Sequence, residues 1–128
     1  MTSASEVIQR SGLDINAAEF GSVVFKPMPA VMEQVLGGKA SAITLGSTVF
    51  VRHQDFEGVV DGVRPDLVAH ELLHTVQWRT DGVSFLPRYV GQYIRFRLVG
   101  ASHDAAYRSI SYEVAAYKVG EANRRTPL

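Results

Sequence analysis

The sequence contains no cysteine among its 128 residues. Disulfide bonds, thiolate metal ligands and thiol nucleophiles are therefore excluded, so a metal ion would have to be held by histidine and carboxylate side chains. Long hydrophobic runs are also missing, since no stretch approaches the roughly 18 apolar residues that span a membrane. The first ten residues show no basic stretch followed by an apolar run, so no secretory signal is visible. We expect a cytoplasmic protein, although release without such a signal would leave no trace in the sequence.

An excess of charge of one sign is lacking as well. Lysine and arginine number 13 and aspartate and glutamate also number 13. A balanced chain creates no bulk field that attracts nucleic acid or an acidic membrane, so we expect neither as a partner. Hydrophobic residues make up 46% and charged residues 20%, which is typical of a globular protein. At this length we expect one domain over residues 1–128, with loosely ordered ends at residues 1–20 and 122–128.

The sequence pattern predicts a strand, a helix, a β-hairpin and then helices alone. This order is typical of an α+β domain in which helices cover one face of a small sheet. Residues 53–64 are polar and glycine-rich and are predicted to be a surface loop, whereas residues 101–110 fit either a helical turn or a loop. The predicted elements are a short helix within residues 1–12, a strand over 22–26, a helix over 30–36, hairpin strands over 42–45 and 48–52, and helices over 65–81, 87–99 and 112–121.

The helix predicted over residues 65–81 carries an H-E-L-L-H segment at residues 70–74. Residues four apart project from one face of a helix, so the imidazoles of His70 and His74 can reach one ion. Glu71 lies about 100° around the helix from His70, where it is placed to accept a proton from a water at the ion. Zinc would lower the pKa of that water to about 7. The segment therefore predicts a zinc site with a general base.

The rest of this helix is largely apolar, which predicts that the helix is buried. His70, His74 and Gln77 lie on its one polar stripe. Buried polar groups need partners, and either a shared ion or a plain hydrogen-bond network would satisfy them. A metal-free core therefore remains an alternative to the metal site.

A catalytic zinc ion usually takes three protein ligands. The downstream candidates for the third ligand are Asp81, His103, Asp104, Glu113 and Glu121. Glu113 stands in an otherwise apolar and small-residue segment, where a lone carboxylate needs a partner. Spacing alone favours Glu113, followed by His103.

The helix over residues 65–81 resembles the zinc helix of the gluzincin peptidases. It is most similar to small bacterial metallopeptidase-like domains of unknown function found beside extracellular contractile injection systems, which share an A-H-E-L-x-H-x-x-Q pattern. The predicted hairpin is similar to the A-x-T-x-G-x-x-I-x-F strand pair of that group, so the resemblance covers about residues 40–78. It implies a minimal zincin-like α+β domain whose small, antiparallel-containing sheet packs on the zinc-binding helix and two further carboxy-terminal helices.

In gluzincins the third ligand is a glutamate on a later helix, and the Y-E-V-A-A-Y segment at residues 112–117 resembles that element. The resemblance therefore implies Glu113 as third ligand and a zinc metalloendopeptidase with Glu71 as general base. Gluzincins often carry an acid four residues after the ligand, where this chain has Tyr117. The partner that orients a zinc histidine thus stays unassigned.

Peptide hydrolysis also requires a donor that stabilises the oxyanion. The candidate donors near the third ligand are Tyr107, Tyr112, Tyr117, His103 and Arg108, of which Tyr112 and His103 are favoured. In zincin-like folds a peptide or protein substrate pairs with an exposed edge strand, which here would be formed by residues 42–45 or 48–52.

Two functions of different classes follow from the same residues. The first is hydrolysis of peptide bonds through a metal-activated water. The second is a catalytically weak or inert zinc-stabilised interaction module of a secretion or phage-like assembly. Glu71 separates them, because a structural site has no use for a base beside an open coordination position.

Overall fold

The computed structural model describes residues 1–37 and 40–124. In these residues the chain forms a four-stranded sheet and seven α-helices, which confirms the predicted α+β class. The strands are β1 (Thr2–Ser3), β2 (Val24–Pro27), β3 (Ala42–Leu45) and β4 (Thr48–Val51). The helices are α1 (Ala4–Ser11), α2 (Ala30–Leu36), α3 (His53–Val60), α4 (Pro65–Asp81), α5 (Phe85–Leu98), α6 (His103–Ser109) and α7 (Ser111–Ala122).

The sheet has the strand order β1-β2-β4-β3 and is mixed. β2 runs parallel to β4, with Phe25 opposite Val49, whereas β3 and β4 form the predicted antiparallel hairpin. Gly46 opens the turn between them in a left-handed conformation with φ of 63°, which glycine adopts without steric cost. β4 is paired on both sides, so of the two strands predicted as a substrate edge only β3 lies at the edge of the sheet described here.

One face of the sheet carries the hydrophobic core. Phe25, Val49 and Val51 are fully buried there. The helices α1, α3 and α4 contribute buried apolar side chains to the same cluster, including Val7, Val59, Val68 and Leu72. Burial of a side chain of this size contributes about 1.5 to 3 kcal/mol, so this face anchors α4 against the sheet.

The prediction of a surface loop over residues 53–64 is wrong, because residues 53–60 form α3. Val59 and Val60 are buried against the core and Phe56 packs beside them. These apolar residues lie three and four positions apart, a helical spacing that outweighs the polar and glycine-rich composition. The segment 101–110, predicted as either a helical turn or a loop, contains the helix α6 over His103–Ser109, whose cap Ser102 accepts a hydrogen bond from the backbone of Ala105. Three helices, rather than two, therefore follow α4.

Several predicted boundaries differ by a few residues. α1 is capped by Ser3 and ends at Gly12, and the short strand β1 before it was not predicted. α5 begins at Phe85, because Pro87 falls in the first helical turn, where a missing N–H costs nothing. α2 ends at Leu36, and Gly37, the first of the two glycines predicted to stop it, caps it in a left-handed conformation. Gly38 and the carboxy-terminal tail from residue 125 lie outside the described residues. Among the described residues no helix is long and apolar enough to cross a bilayer.

α7 packs closely along α4, and Gly120 allows this approach. A Cβ atom at Gly120 would lie 2.9 Å from the carbonyl oxygen of Asp66 and 3.4 Å from Cβ of His70. A carbonyl oxygen of a helix cannot move aside as the end of a flexible side chain can. The absence of a side chain at Gly120 thus sets the distance between the two helices that carry the candidate site.

Candidate metal centre

The three predicted ligands meet between α4 and α7. His70 and His74 project from one face of α4, and Glu113 projects from the first turn of α7. Nε2 of His70 lies 3.2 Å from Nε2 of His74, and Oε1 of Glu113 lies 3.1 Å from the first and 3.2 Å from the second. All three residues are buried, with Glu113 only 2% exposed. The structure thus brings together residues that stand up to 43 positions apart.

The spacing of these atoms fits a metal ion. Nitrogen and oxygen ligands lie about 2.0 to 2.1 Å from tetrahedral zinc, so two ligand atoms of one ion are separated by about 3.3 Å. The measured separations of 3.1 to 3.2 Å are close to this value for every pair of the triangle. His70, His74 and Glu113 could therefore hold an ion in common.

Gln77 determines the tautomer of His74. Its side-chain nitrogen donates to the carbonyl oxygen of Tyr112 at 3.1 Å, which turns its oxygen towards His74. That oxygen lies 2.8 Å from Nδ1 of His74 and can only accept, so Nδ1 carries the hydrogen. In a neutral ring Nε2 then presents its lone pair to Oε1 of Glu113, which is also an acceptor. A proton or a metal ion must lie between them.

The contact between His74 and Glu113 shifts the pKa values of both residues. Burial disfavours the charged form of Glu113, but hydrogen bonds from His70 and His74 outweigh it and hold its pKa well below the usual range. Burial likewise opposes protonation of His74, yet the hydrogen bond to Glu113 and the charge of Glu71 raise its pKa above 6.5. When no ion is bound, the contact between Nε2 of His74 and Oε1 of Glu113 thus favours the protonated form of His74.

Tyr89 supports the other oxygen of Glu113. Its hydroxyl donates to Oε2 at 2.6 Å from the inner face of α5. Burial and the charge of Glu113 raise the pKa of Tyr89 above its usual range, so the hydroxyl remains a donor. Tyr89 was not among the residues predicted from the sequence, although Phe85, Tyr89 and Tyr93 recur every fourth residue along α5 and could have indicated an inward-facing aromatic stripe.

Tyr117 stands where gluzincins often have an acid. Its ring packs edge-on against the imidazole of His70, with 4.6 Å between ring centroids. The guanidinium of Arg108 lies over the ring of Tyr117, 4.7 Å from its centroid. This contact restricts the orientation of His70 by packing, where a carboxylate would do so by a hydrogen bond.

Glu71 lies on the neighbouring face of α4 and is held by the sheet. Its Oε2 accepts a hydrogen bond of 2.6 Å from the hydroxyl of Thr44 in β3. The carbonyl oxygen of Thr44 in turn accepts from the indole of Trp78, at 3.1 Å. The predicted base is therefore in direct contact with the edge strand, a relationship that the spacing of α4 alone could not indicate.

The two favoured oxyanion donors already have other partners. The hydroxyl of Tyr112 donates to Asp81, and His103 is exposed, with Nδ1 2.7 Å from the hydroxyl of Tyr93. Either residue would have to leave its partner to act on a substrate. Of the remaining ligand candidates, Asp104 pairs with Arg108 on the surface and Glu121 is exposed.

A cavity of about 1080 Å³ opens beside the triad. β3 lines one side of it together with the end of α2, and most of the remaining lining comes from α4, α5, α6 and α7. Its lining includes His70, Glu71, His74 and Glu113, so the triad and the base face the same space.

One protein-family model matches the chain. The model of the eCIS core domain, named for the extracellular contractile injection system, matches residues 6–82. The match includes the hairpin, α4, His70, Glu71 and His74, whereas Glu113 lies beyond it. Neither curated proteins nor solved structures gave a significant match. Because the match covers more than half of the sequence, the chain belongs to the eCIS core domain family.

Proposed function

We propose that the chain is a zinc-dependent peptidase. The observation that carries the proposal is the meeting of three buried ligand atoms beside Glu71 in a cavity bounded by an edge strand. His70, His74 and Glu113 would hold the ion. When bound, zinc supplies a Lewis acid that polarises a carbonyl group and lowers the pKa of a water molecule to about 7.

Glu71 acts as the general base in this proposal. Its carboxylate accepts a proton from the attacking water and afterwards donates it to the nitrogen of the leaving amine. The hydrogen bond from Thr44 to Oε2 fixes the carboxylate and leaves Oε1 for the water. Glu71 is buried, so its orientation is restricted by the packing of α4 against β3 as well.

The substrate in this proposal is a peptide or protein segment that pairs with β3. Main-chain hydrogen bonds to an edge strand hold an extended chain without regard to its sequence. The carbonyl oxygen of Thr44 already accepts from the indole of Trp78, so a peptide that pairs there would share this oxygen or displace the indole. The contact between Thr44 and Glu71 places the base next to that strand. Tyr112 and His103 stay predictions as oxyanion donors, while Tyr89 is a hydroxyl that already contacts the triad.

Family membership favours a second function. The eCIS core domain indicates a role in the assembly of an injection system, in which the ion would mainly support folding. Structural zinc sites usually have four protein ligands, whereas catalytic sites have three and an open position. Three metal-binding side chains meet in the described residues, which supports the catalytic reading.

The variant Glu71→Gln tests the proposal. Zinc content should stay near one ion per chain, because Glu71 is not a ligand, while hydrolysis of an unfolded protein such as reduced casein should fall by about 100-fold or more. Glu121→Gln, at the rim of the same cavity, serves as the matched control and should keep full activity. Zinc-loaded wild-type protein that hydrolyses no unfolded protein, or equal rates for Glu71→Gln and wild type, would reject the peptidase.

A further inference from the structure

We propose that a peptide paired with β3 places every second side chain in an apolar pocket between α2 and β3. The site would then select chains with aliphatic or aromatic residues at alternate positions. The inference rests on the proposed peptidase and names the substrate class of the same site.

The alternation of β3 is the first observation. Thr44 points towards α4, where it donates to Glu71. Ile43 and Leu45 flank Thr44 and therefore point to the opposite face of the sheet. The burial of β4 agrees, because Val49, opposite Thr44, is fully buried in the core, whereas Phe50, opposite Ile43, is partly exposed. The edge strand thus has one catalytic face and one apolar face.

The pocket is the second observation. Ile43 and Leu45 line a surface depression of about 460 Å³ together with residues of α2 and Pro29 before it. Every side chain that lines it is apolar, including Val31 and Val35, which are 73% and 80% exposed. Exposed apolar residues that cluster in a depression are typical of binding sites. A charged side chain entering the pocket would lose water without gaining a partner.

The pocket adjoins the cavity that contains the triad. Val35, Leu36, Ile43 and Leu45 line both spaces, so the two meet along α2 and β3. A strand that pairs with β3 shares its alternation, because side chains of neighbouring strands align on the same face of a sheet. Side chains of the bound peptide would therefore alternate between the triad and the α2 pocket.

Peptide binding to zinc-loaded Glu71→Gln protein tests this inference without hydrolysis. Three capped, fluorescently labelled peptides of equal length are compared by anisotropy: alternating leucine and serine, alternating aspartate and serine, and the leucines and serines in two separate blocks. The alternating leucine peptide should bind at least about tenfold more tightly than the other two. Adding Val35→Asp should remove this preference, whereas adding the similarly exposed Val99→Asp, on the carboxy-terminal side of α5, should preserve it.

Equal binding of the three peptides, no binding of any, or the same effect of Val35→Asp and Val99→Asp would overturn the inference. Hydrolysis by the wild type is measured separately with the same peptides. If the alternating leucine peptide binds preferentially but the wild type hydrolyses none of the peptides, the peptidase is refuted and the pocket is retained. If the wild type hydrolyses the peptides but none binds preferentially, only the pocket is refuted.

Discussion

The hydroxyl of Tyr89 donates a hydrogen bond of 2.6 Å to Oε2 of Glu113, the oxygen that does not face the two histidines. This bond connects α5 to the first turn of α7 and leaves Oε1 directed at the nitrogens of α4. Groups that orient a ligand in this way commonly change metal affinity by about 10- to 100-fold when they are removed. Tyr89 is therefore a positioning residue for the site.

We expect Tyr89→Phe to weaken zinc binding by about tenfold or more, because Glu113 loses the donor that fixes its orientation. The measurement is a competition titration against a chromophoric chelator. Tyr93→Phe is the control, since the hydroxyl of Tyr93 pairs with the exposed His103 instead. An unchanged zinc dissociation constant in Tyr89→Phe would refute the positioning role.

Replacing either histidine of the triad should remove zinc. His70→Ala and His74→Ala each leave two ligands, which hold the ion too weakly to survive dialysis. Elemental analysis should find about one zinc per chain in the wild type and far less in both variants. His53→Ala should retain the wild-type level, because His53 is exposed at the start of α3. Full zinc content in His70→Ala and His74→Ala would exclude them as ligands.

The stability of the metal-free protein should depend on pH in a defined window. The pKa of His74 is raised above 6.5, so its contribution is complete below pH 6.5 and is lost as pH rises through the folded-state value. The pKa of Glu113 is lowered from 4.5, so its contribution is present above pH 4.5 and is lost as pH falls through the folded-state value. The stabilisation of the folded protein by His74 and Glu113 should therefore be greatest between pH 4.5 and pH 6.5.

Urea unfolding in the presence of a chelator measures how the free energy of unfolding depends on pH. In His74→Ala the decrease of this free energy above pH 6.5 should be smaller than in the wild type. Zinc affinity should follow the opposite trend above pH 6.5, because each proton bound by His74 competes with the ion. A zinc dissociation constant that stays the same as the pH is lowered from about 8 to about 6 would contradict the assignment of His74.

Gly120→Ala should destabilise the protein by about 1 to 3 kcal/mol, because the added methyl group overlaps the carbonyl oxygen of Asp66. The shift of α7 should also weaken zinc binding, since Glu113 lies on the same helix. Gly91→Ala is the matched control, because no atom lies within 4 Å of the added Cβ atom in α5. That variant should stabilise the protein by about 0.4 to 1 kcal/mol. Urea unfolding midpoints give the change in stability of each variant. Equal changes in Gly120→Ala and Gly91→Ala would contradict the tight packing of α7 on α4.

Local spacing in the sequence was sufficient for the elements that carry their own signals. α4 and its two histidines follow from the four-residue spacing, and the hairpin follows from two β-branched segments around Gly46. Glu113 was chosen from its apolar surroundings and from the family resemblance, and it does meet the histidines. α4 and the hairpin depend on residues a few positions apart, whose geometry the backbone determines, whereas the contact of Glu113 with the histidines forms only when α7 packs on α4.

Contacts between distant residues decided the rest. Nothing in the spacing of α5 or β3 indicates that Tyr89 donates to Glu113 or that Thr44 donates to Glu71, because these bonds form only when the helices and the sheet pack. The same packing buries the apolar side chains of α3, whose helical spacing competes with a polar and glycine-rich composition, and places β3, rather than β4, at the edge. The sequence alone determined which residues could bind a metal. The tertiary structure determined how they are held and which strand lies beside them, since burial of the apolar faces sets the distances between the elements.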